Sequence, residues 1–165
     1  MTDYKTISII MEMEAGSGEF AKWPGGGKTY HAGIGYIKPF GKASYYAGID
    51  YPEEKSYPRP DYFNQTWMNL YKTKYLCIYM LPDGDIFAYD GIVGNYEPFA
   101  PGTSEKMDEL INVIVGGTGA YDGANGILLG HTQGRGPATE VDNGITLPRS
   151  LLKIMQGYIN IPIKE

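Results

Sequence analysis

The stretch whose reading decides the fold is Val113 to Gly130, VIVGGTGAYDGANGILLG. It begins as an apolar strand end (Val113, Ile114, Val115), passes through Gly116, Gly117 and Gly119, and bends at Tyr121 and Asp122. A second apolar run, Ile127 to Leu129, follows between Gly126 and Gly130. Glycine belongs where the backbone takes a positive φ or where a neighbouring strand passes too close for a Cβ, and a sharply bent strand pair needs both. An apolar strand running into Gly-x-Gly also opens a dinucleotide-binding unit, but that reading fails here. The third glycine comes at 123 and no Gly-Lys-Ser/Thr follows. The run after it is strand-like, so no helix N-terminus is offered to a pyrophosphate. The stretch is therefore a strand, a glycine bend and a strand.

Composition agrees with an all-β chain. Among 165 residues there are 23 glycines and 15 tyrosines, while only 20% are charged. Tight turns and aromatic strands account for such a balance better than long charged helices. The length suits one domain, residues 1–165, with a core of its own. A net charge of −5 with no basic run argues against nucleic acid, and no apolar stretch is long enough for a membrane-spanning helix. The opening MTDYKTISIIMEME lacks the basic start and uninterrupted apolar run of a signal peptide, which sets a cytoplasmic expectation. The lone cysteine, Cys77, has no internal disulfide partner and sits in the apolar run Tyr75 to Leu81, as a small core residue does. Two histidines and one cysteine far apart give no metal-ligand spacing, and no cofactor motif is present, so neither metal nor cofactor is expected.

Strands are expected at Tyr4–Glu14, Thr29–Lys38, Ala43–Asp50, Lys74–Leu81, Asp85–Val93, through the glycine stretch, and at Ser150–Ile163, the last closing against the first. Pro82-Asp83-Gly84 between two apolar runs marks a hairpin. One helical turn is expected at Ser104–Leu110. His131–Asn143 reads as polar, and Tyr51–Met68, with Pro52, Pro58 and Pro60, as irregular cover for a barrel end or an interface. Ala15–Lys28 is a glycine-rich loop, read either as a disordered connection or, because of Trp23, as a lid over an apolar mouth.

The residues Val115, Gly116, Gly117, Thr118, Gly119, Tyr121, Gly123, Ala124 and Gly126 resemble the signature of the dirigent and allene oxide cyclase barrel superfamily, in a form without a signal peptide. That resemblance implies an eight-stranded antiparallel up-and-down β-barrel of calycin-like kind, usually trimeric. It also implies either cyclisation of an unstable epoxide or non-redox steering of phenolic radicals. In the allene oxide cyclases the first strand carries a pocket glutamate, and Glu12 or Glu14 is the position that resembles it.

Read residue by residue, the first strand has two faces. Ile7, Ile9, Met11 and Met13 share one; Ser8, Ile10, Glu12 and Glu14 share the other. If the glutamate face points inward, a carboxylate among tyrosines becomes an acid–base group, with Tyr46 as hydrogen-bond donor. If the apolar face points inward, simple packing or apolar binding is favoured. The expected catalytic set is Glu12, Glu14 and Tyr46. The expected substrate-binding set is Trp23, Tyr30, His31, Asp50, Tyr79, Tyr89, Asp90 and Arg135, which would supply an aromatic wall, a proton carrier and an anion clamp. The expected partner is a small apolar molecule, cyclised or isomerised without redox chemistry in secondary metabolism, the alternative being a lipocalin- or dirigent-like protein that only binds or steers. An outward Ile7–Met13 face would need a neighbouring subunit to cover it, hence a homo-oligomer, most simply a trimer.

Overall fold

The structure is a computed structural model that describes residues 1–18, 28–49, 76–92, 105–136, 139–142, 145–147 and 149–164. In chain order its strands are β1 (Tyr4–Ser17), β2 (Lys28–Lys38), β3 (Gly41–Ile49), β4 (Leu76–Leu81), β5 (Gly84–Ile92), β6 (Glu105–Gly117), β7 (Asn125–Arg135), β8 (Thr139–Asp142), β9 (Ile145–Leu147) and β10 (Ser150–Pro162). Eight of them close an antiparallel barrel in the order β1-β10-β7-β6-β5-β4-β3-β2, and β8 and β9 form a separate hairpin. The all-β barrel expected from the glycine stretch is thus the fold. The last strand does close against the first, with Tyr4 opposite Pro162 and Gly16 opposite Ser150.

The glycine stretch behaves as its composition requires. β6 ends at Gly117, a single 3₁₀ turn spans Gly119–Tyr121, and β7 starts at Asn125. Gly119 and Gly123 take φ of +58° and +78°, values that a side chain disfavours. Gly117 is there for space instead: a Cβ on it would come 2.4 Å from the Asp85 carbonyl oxygen. Tyr121 turns inward from the bend and meets Phe40 edge to face, ring centres 5.1 Å apart, so the β2–β3 and β6–β7 turns jointly fill that end.

Residues 15–17, expected in the glycine-rich loop, lengthen β1, and two further segments differ from expectation. Residues 105–110, expected as a helical turn, are the start of β6, and polar residues 131–135 extend β7. The reason is shared. Each run finds its backbone partners in the other, Glu105 opposite Arg135 and Glu109 opposite His131, and pairing between strands overrides local preference. The irregular segment 51–68 and the loop residues 19–27 lie outside the described residues.

The barrel's two ends are unlike. At one, β2–β3, β4–β5 and β6–β7 are joined by short turns, and the chain ends meet there, Ile163 N–H donating to Asp3 O at 2.9 Å. At the other end leave all the longer connections, between β1 and β2, β3 and β4, β5 and β6, and β7 and β10.

The first strand settles its two faces plainly. Ile9, Met11, Met13 and Ala15 are buried in the core, whereas Ile10, Glu12 and Glu14 alternate with them on the outside. Burying an apolar set is favourable by roughly 1.5–3 kcal/mol per large side chain, while an unpaired carboxylate resists burial. The expectation of a lumen glutamate is therefore corrected. So is the ground for expecting a covering subunit, since Ile9, Met11 and Met13 already have cover inside the barrel.

Candidate functional site

The lumen is not uniformly apolar. In the half nearer the long connections, the inward positions of β4, β5, β6 and β10 bring Cys77, Asp90, Asn112 and Lys153 together, with Tyr45 of β3 and Tyr79 of β4 beside them. Each stands among apolar inward neighbours: Asn112 between Leu110 and Ile114, Lys153 before Met155, Asp90 after Ala88. Cys77, Tyr45, Tyr79, Asn112 and Lys153 have no solvent exposure, and Asp90 is 5% exposed.

Asp90 is the hub. Its two carboxylate oxygens accept from Lys153 Nζ, each at 2.9 Å. Oδ1 also accepts from Asn112 Nδ2, and Oδ2 accepts from the Cys77 thiol at 3.1 Å. Lys153 Nζ lies 3.6 Å from Cys77 Sγ and 5.0 and 5.4 Å from the ring centres of Tyr45 and Tyr79, which stack on one another. Tyr79 donates its hydroxyl to Asn112 Oδ1 at 3.3 Å, and the Tyr45 hydroxyl lies 3.6 Å from Cys77 Sγ. The network satisfies its buried polar groups, as so dry a setting demands.

The electrostatics follow from burial. Burial alone would lower the Lys153 ammonium, but the charge and hydrogen bonds of Asp90, with a smaller contribution from Cys77, together outweigh it and hold the group above the ordinary lysine value. Burial, reinforced by Asp90, pushes the Cys77 thiol far up, so it is a neutral thiol and no ready nucleophile. Burial likewise raises Tyr79 well above a free phenol, which keeps it a hydrogen-bond donor.

His31, near the start of β2, is 3% exposed, and its Nδ1 lies 3.2 Å from Ser17 Oγ. Burial lowers it to about 4; Asp90 opposes that shift and Lys153 adds to it. A histidine held below its unfolded value of 6.5 makes the unfolded chain the better proton binder between those values. Stability from this residue is therefore complete above about pH 6.5 and declines as pH falls toward 4, by up to roughly 3 kcal/mol at 1.4 kcal/mol per tenfold in proton affinity. Denaturant unfolding of the protein and of His31→Gln across that range should show the steeper acid decline in the unsubstituted chain. Parallel profiles would show that His31 does not resist protonation.

Of the residues expected to form a site, the structure brings His31, Tyr79 and Asp90 to the lumen. Glu12 and Glu14 are on the outer surface, where with Ile34, Tyr36, Lys42 and Met80 they border a concavity of about 600 Å³. Tyr46 is half-buried on the opposite face of β3 from Tyr45 and Ala47, so it is not near them in the lumen. Tyr89 is buried but alternates with Ala88 and Asp90, which puts it on the outer face of β5. Arg135 is exposed at the end of β7. Trp23 and Asp50 lie outside the described residues, as does the side chain of Tyr30. Sequence reasoning missed Lys153, Asn112 and Tyr45. Their signal was a polar residue in phase with an apolar set: Leu151, Lys153, Met155 and Leu110, Asn112, Ile114.

Among the described residues no group of three or more His, Cys, Asp and Glu side chains is placed to hold a metal ion, and no helix is long and apolar enough to cross a membrane. Comparison with models of known protein families, with curated proteins and with solved structures finds no match.

Proposed function

We propose that the barrel takes a small apolar molecule at the end bearing the long connections and directs its cyclisation or isomerisation without redox chemistry, with Asp90 as the acid–base group. The observation that carries this reading is the placement of Asp90: a carboxylate held from two sides by Lys153 and Asn112, inside a lumen whose lining is mostly apolar and aromatic. Fold stability alone does not ask for such a group, because well-packed apolar residues replace buried ion pairs at little or no cost. Buried, charge-coupled residues of this kind concentrate at functional sites. The lumen's shape would hold a reactive substrate in one conformer, and the stacked Tyr45 and Tyr79 would supply an aromatic wall with hydroxyl groups.

A second reading, binding or steering without catalysis, is favoured by the inward Ile9, Met11 and Met13, which offer apolar contact and no chemistry. Mass spectrometry of an organic extract of the purified protein should reveal a small apolar molecule, and that molecule or its precursor then serves as substrate. Asp90→Asn combined with Lys153→Met keeps the shape and leaves no buried charge alone. If Asp90 acts in acid–base chemistry, this variant loses roughly 10²-fold or more in rate. An undiminished rate gives the protein to the steering reading, and an extract with no such molecule, together with no binding of apolar probes, removes both.

A further inference from the structure

The arrangement of Lys153, Asp90 and Asn112 has a chemistry of its own that does not depend on any substrate. Lys153 Nζ and the Asn112 amide nitrogen are hydrogen-bonded to the same atom, Asp90 Oδ1. A primary amine and a carboxamide are therefore neighbours, with one carboxylate able to receive a proton from the first and give it to the second. The third requirement of amide exchange is a donor on the carbonyl oxygen, where negative charge develops. Tyr79 O–H already donates to Asn112 Oδ1 at 3.3 Å. Water, the competitor for an activated carbonyl, is kept out, since Lys153, Asn112 and Tyr79 are all without exposure.

We propose that Lys153 and Asn112 join spontaneously in the folded barrel to form an amide bond between β10 and β6, with Asp90 as proton shuttle and Tyr79 as oxyanion donor. Lys153 passes a proton to Asp90, and the neutral amine attacks Asn112 Cγ. The new C–N bond places an electron pair on Oδ1, which the Tyr79 hydroxyl stabilises. The intermediate collapses with cleavage of the Cγ–Nδ2 bond. Nδ2 collects protons through Asp90 and departs as an ammonium ion. A lysine ammonium and an asparagine amide thus become one secondary amide and one ammonium ion, with nothing oxidised or reduced. The strong ionic hold of Asp90 on Lys153 makes the neutral amine scarce and the reaction slow, but each molecule need react only once. Proximity fixed by folding supplies the large effective concentration that such a reaction lacks in water. Asp90 is not consumed: it gives up its ion pair and the Asn112 Nδ2 donor, keeps the Cys77 thiol on Oδ2 and still faces the lumen.

The test is the intact mass of the purified, folded protein after denaturation, followed by peptide sequencing. The expected result is a mass lower than that of the sequence by one ammonia, with the peptide containing Lys153 joined to that containing Asn112. Lys153→Arg and Asp90→Asn should have the unlinked mass. Tyr79→Phe, which keeps the ring in the core, should accumulate the bond at least tenfold more slowly when followed in freshly refolded protein. The unlinked mass in folded protein after prolonged incubation overturns the proposal. So does loss of one water, which would place the bond at Asp90. So too does loss of ammonia with a linear Lys153 peptide, which a succinimide at Asn125-Gly126 or Asn143-Gly144 produces.

Discussion

Asp90→Asn is expected to be about 3–5 kcal/mol less stable than the unlinked, ion-paired protein, the usual effect of leaving one partner of a buried ion pair alone. The lysine left behind has no exposure and no other carboxylate on its ammonium among the described residues. Its remaining contacts, Cys77 Sγ and two tyrosine rings, are too weak to replace a salt bridge at 2.9 Å. The informative comparison is with Asp90→Asn/Lys153→Met. Methionine fills much of the lysine's volume, and asparagine at 90 still accepts from Asn112. The double variant should therefore be the more stable of the two, by a margin that denaturant titration resolves easily. Neither variant can form the Lys153–Asn112 bond, so the comparison reads the buried charge alone. A double variant no more stable than Asp90→Asn would mean that water or a structural shift relieves the lysine.

Gly33→Val is expected to prevent folding or to remove at least about 4 kcal/mol, a loss in the range reserved for severe steric conflict. β1 and β2 approach so closely here that a Cβ on Gly33 would lie 1.7 Å from the Glu14 carbonyl oxygen and 2.6 Å from Ala15 Cα. Both obstacles are backbone, so no rotamer change relieves them. Gly35 is similar, with the Glu12 carbonyl oxygen at 1.9 Å. Gly16, on the facing strand, has no atom within 4 Å of a Cβ. Gly16→Ala should shift stability by less than about 1 kcal/mol, the ordinary scale of glycine replacement where space allows. Equal melting of the two variants would show that the strands part readily at Gly33.

These glycines also explain what was legible in the sequence. Val113–Gly130 was readable as strand, bend and strand because positive φ and close approach both leave glycine as their mark, and Pro82-Asp83-Gly84 announced its hairpin similarly. The alternation in β1 gave two faces correctly but not their direction. Parity groups Glu12 with Glu14 and Met11 with Met13; only the energetics of burial says which pair goes inside, and the resemblance of Glu12 and Glu14 to a pocket glutamate pointed the other way. Asp90 was visible as a charge in mid-strand. Its partners were not, because Lys153 and Asn112 are 63 and 22 residues away in the chain and look individually like solvated positions. The polar start of β6 was hidden for a related reason: its stabilisation comes from Arg135, Gln133 and their neighbours in β7, which no local window contains.

The barrel order also fixes when the fold is completed. β2 through β7 each pair with the strand before them in the chain, but β10 sits between β1 and β7 and pairs with both. Until it arrives the sheet has two open edges, and Ile9, Met11 and Met13 face an unfinished interior. β10 is a keystone: it seals both edges in one event and carries Lys153 to Asp90 in the same motion. A chain emerging from the ribosome therefore carries its aggregation-prone edges until Ser150–Pro162 has emerged, and a truncation anywhere before that strand leaves two sticky edges rather than one frayed end.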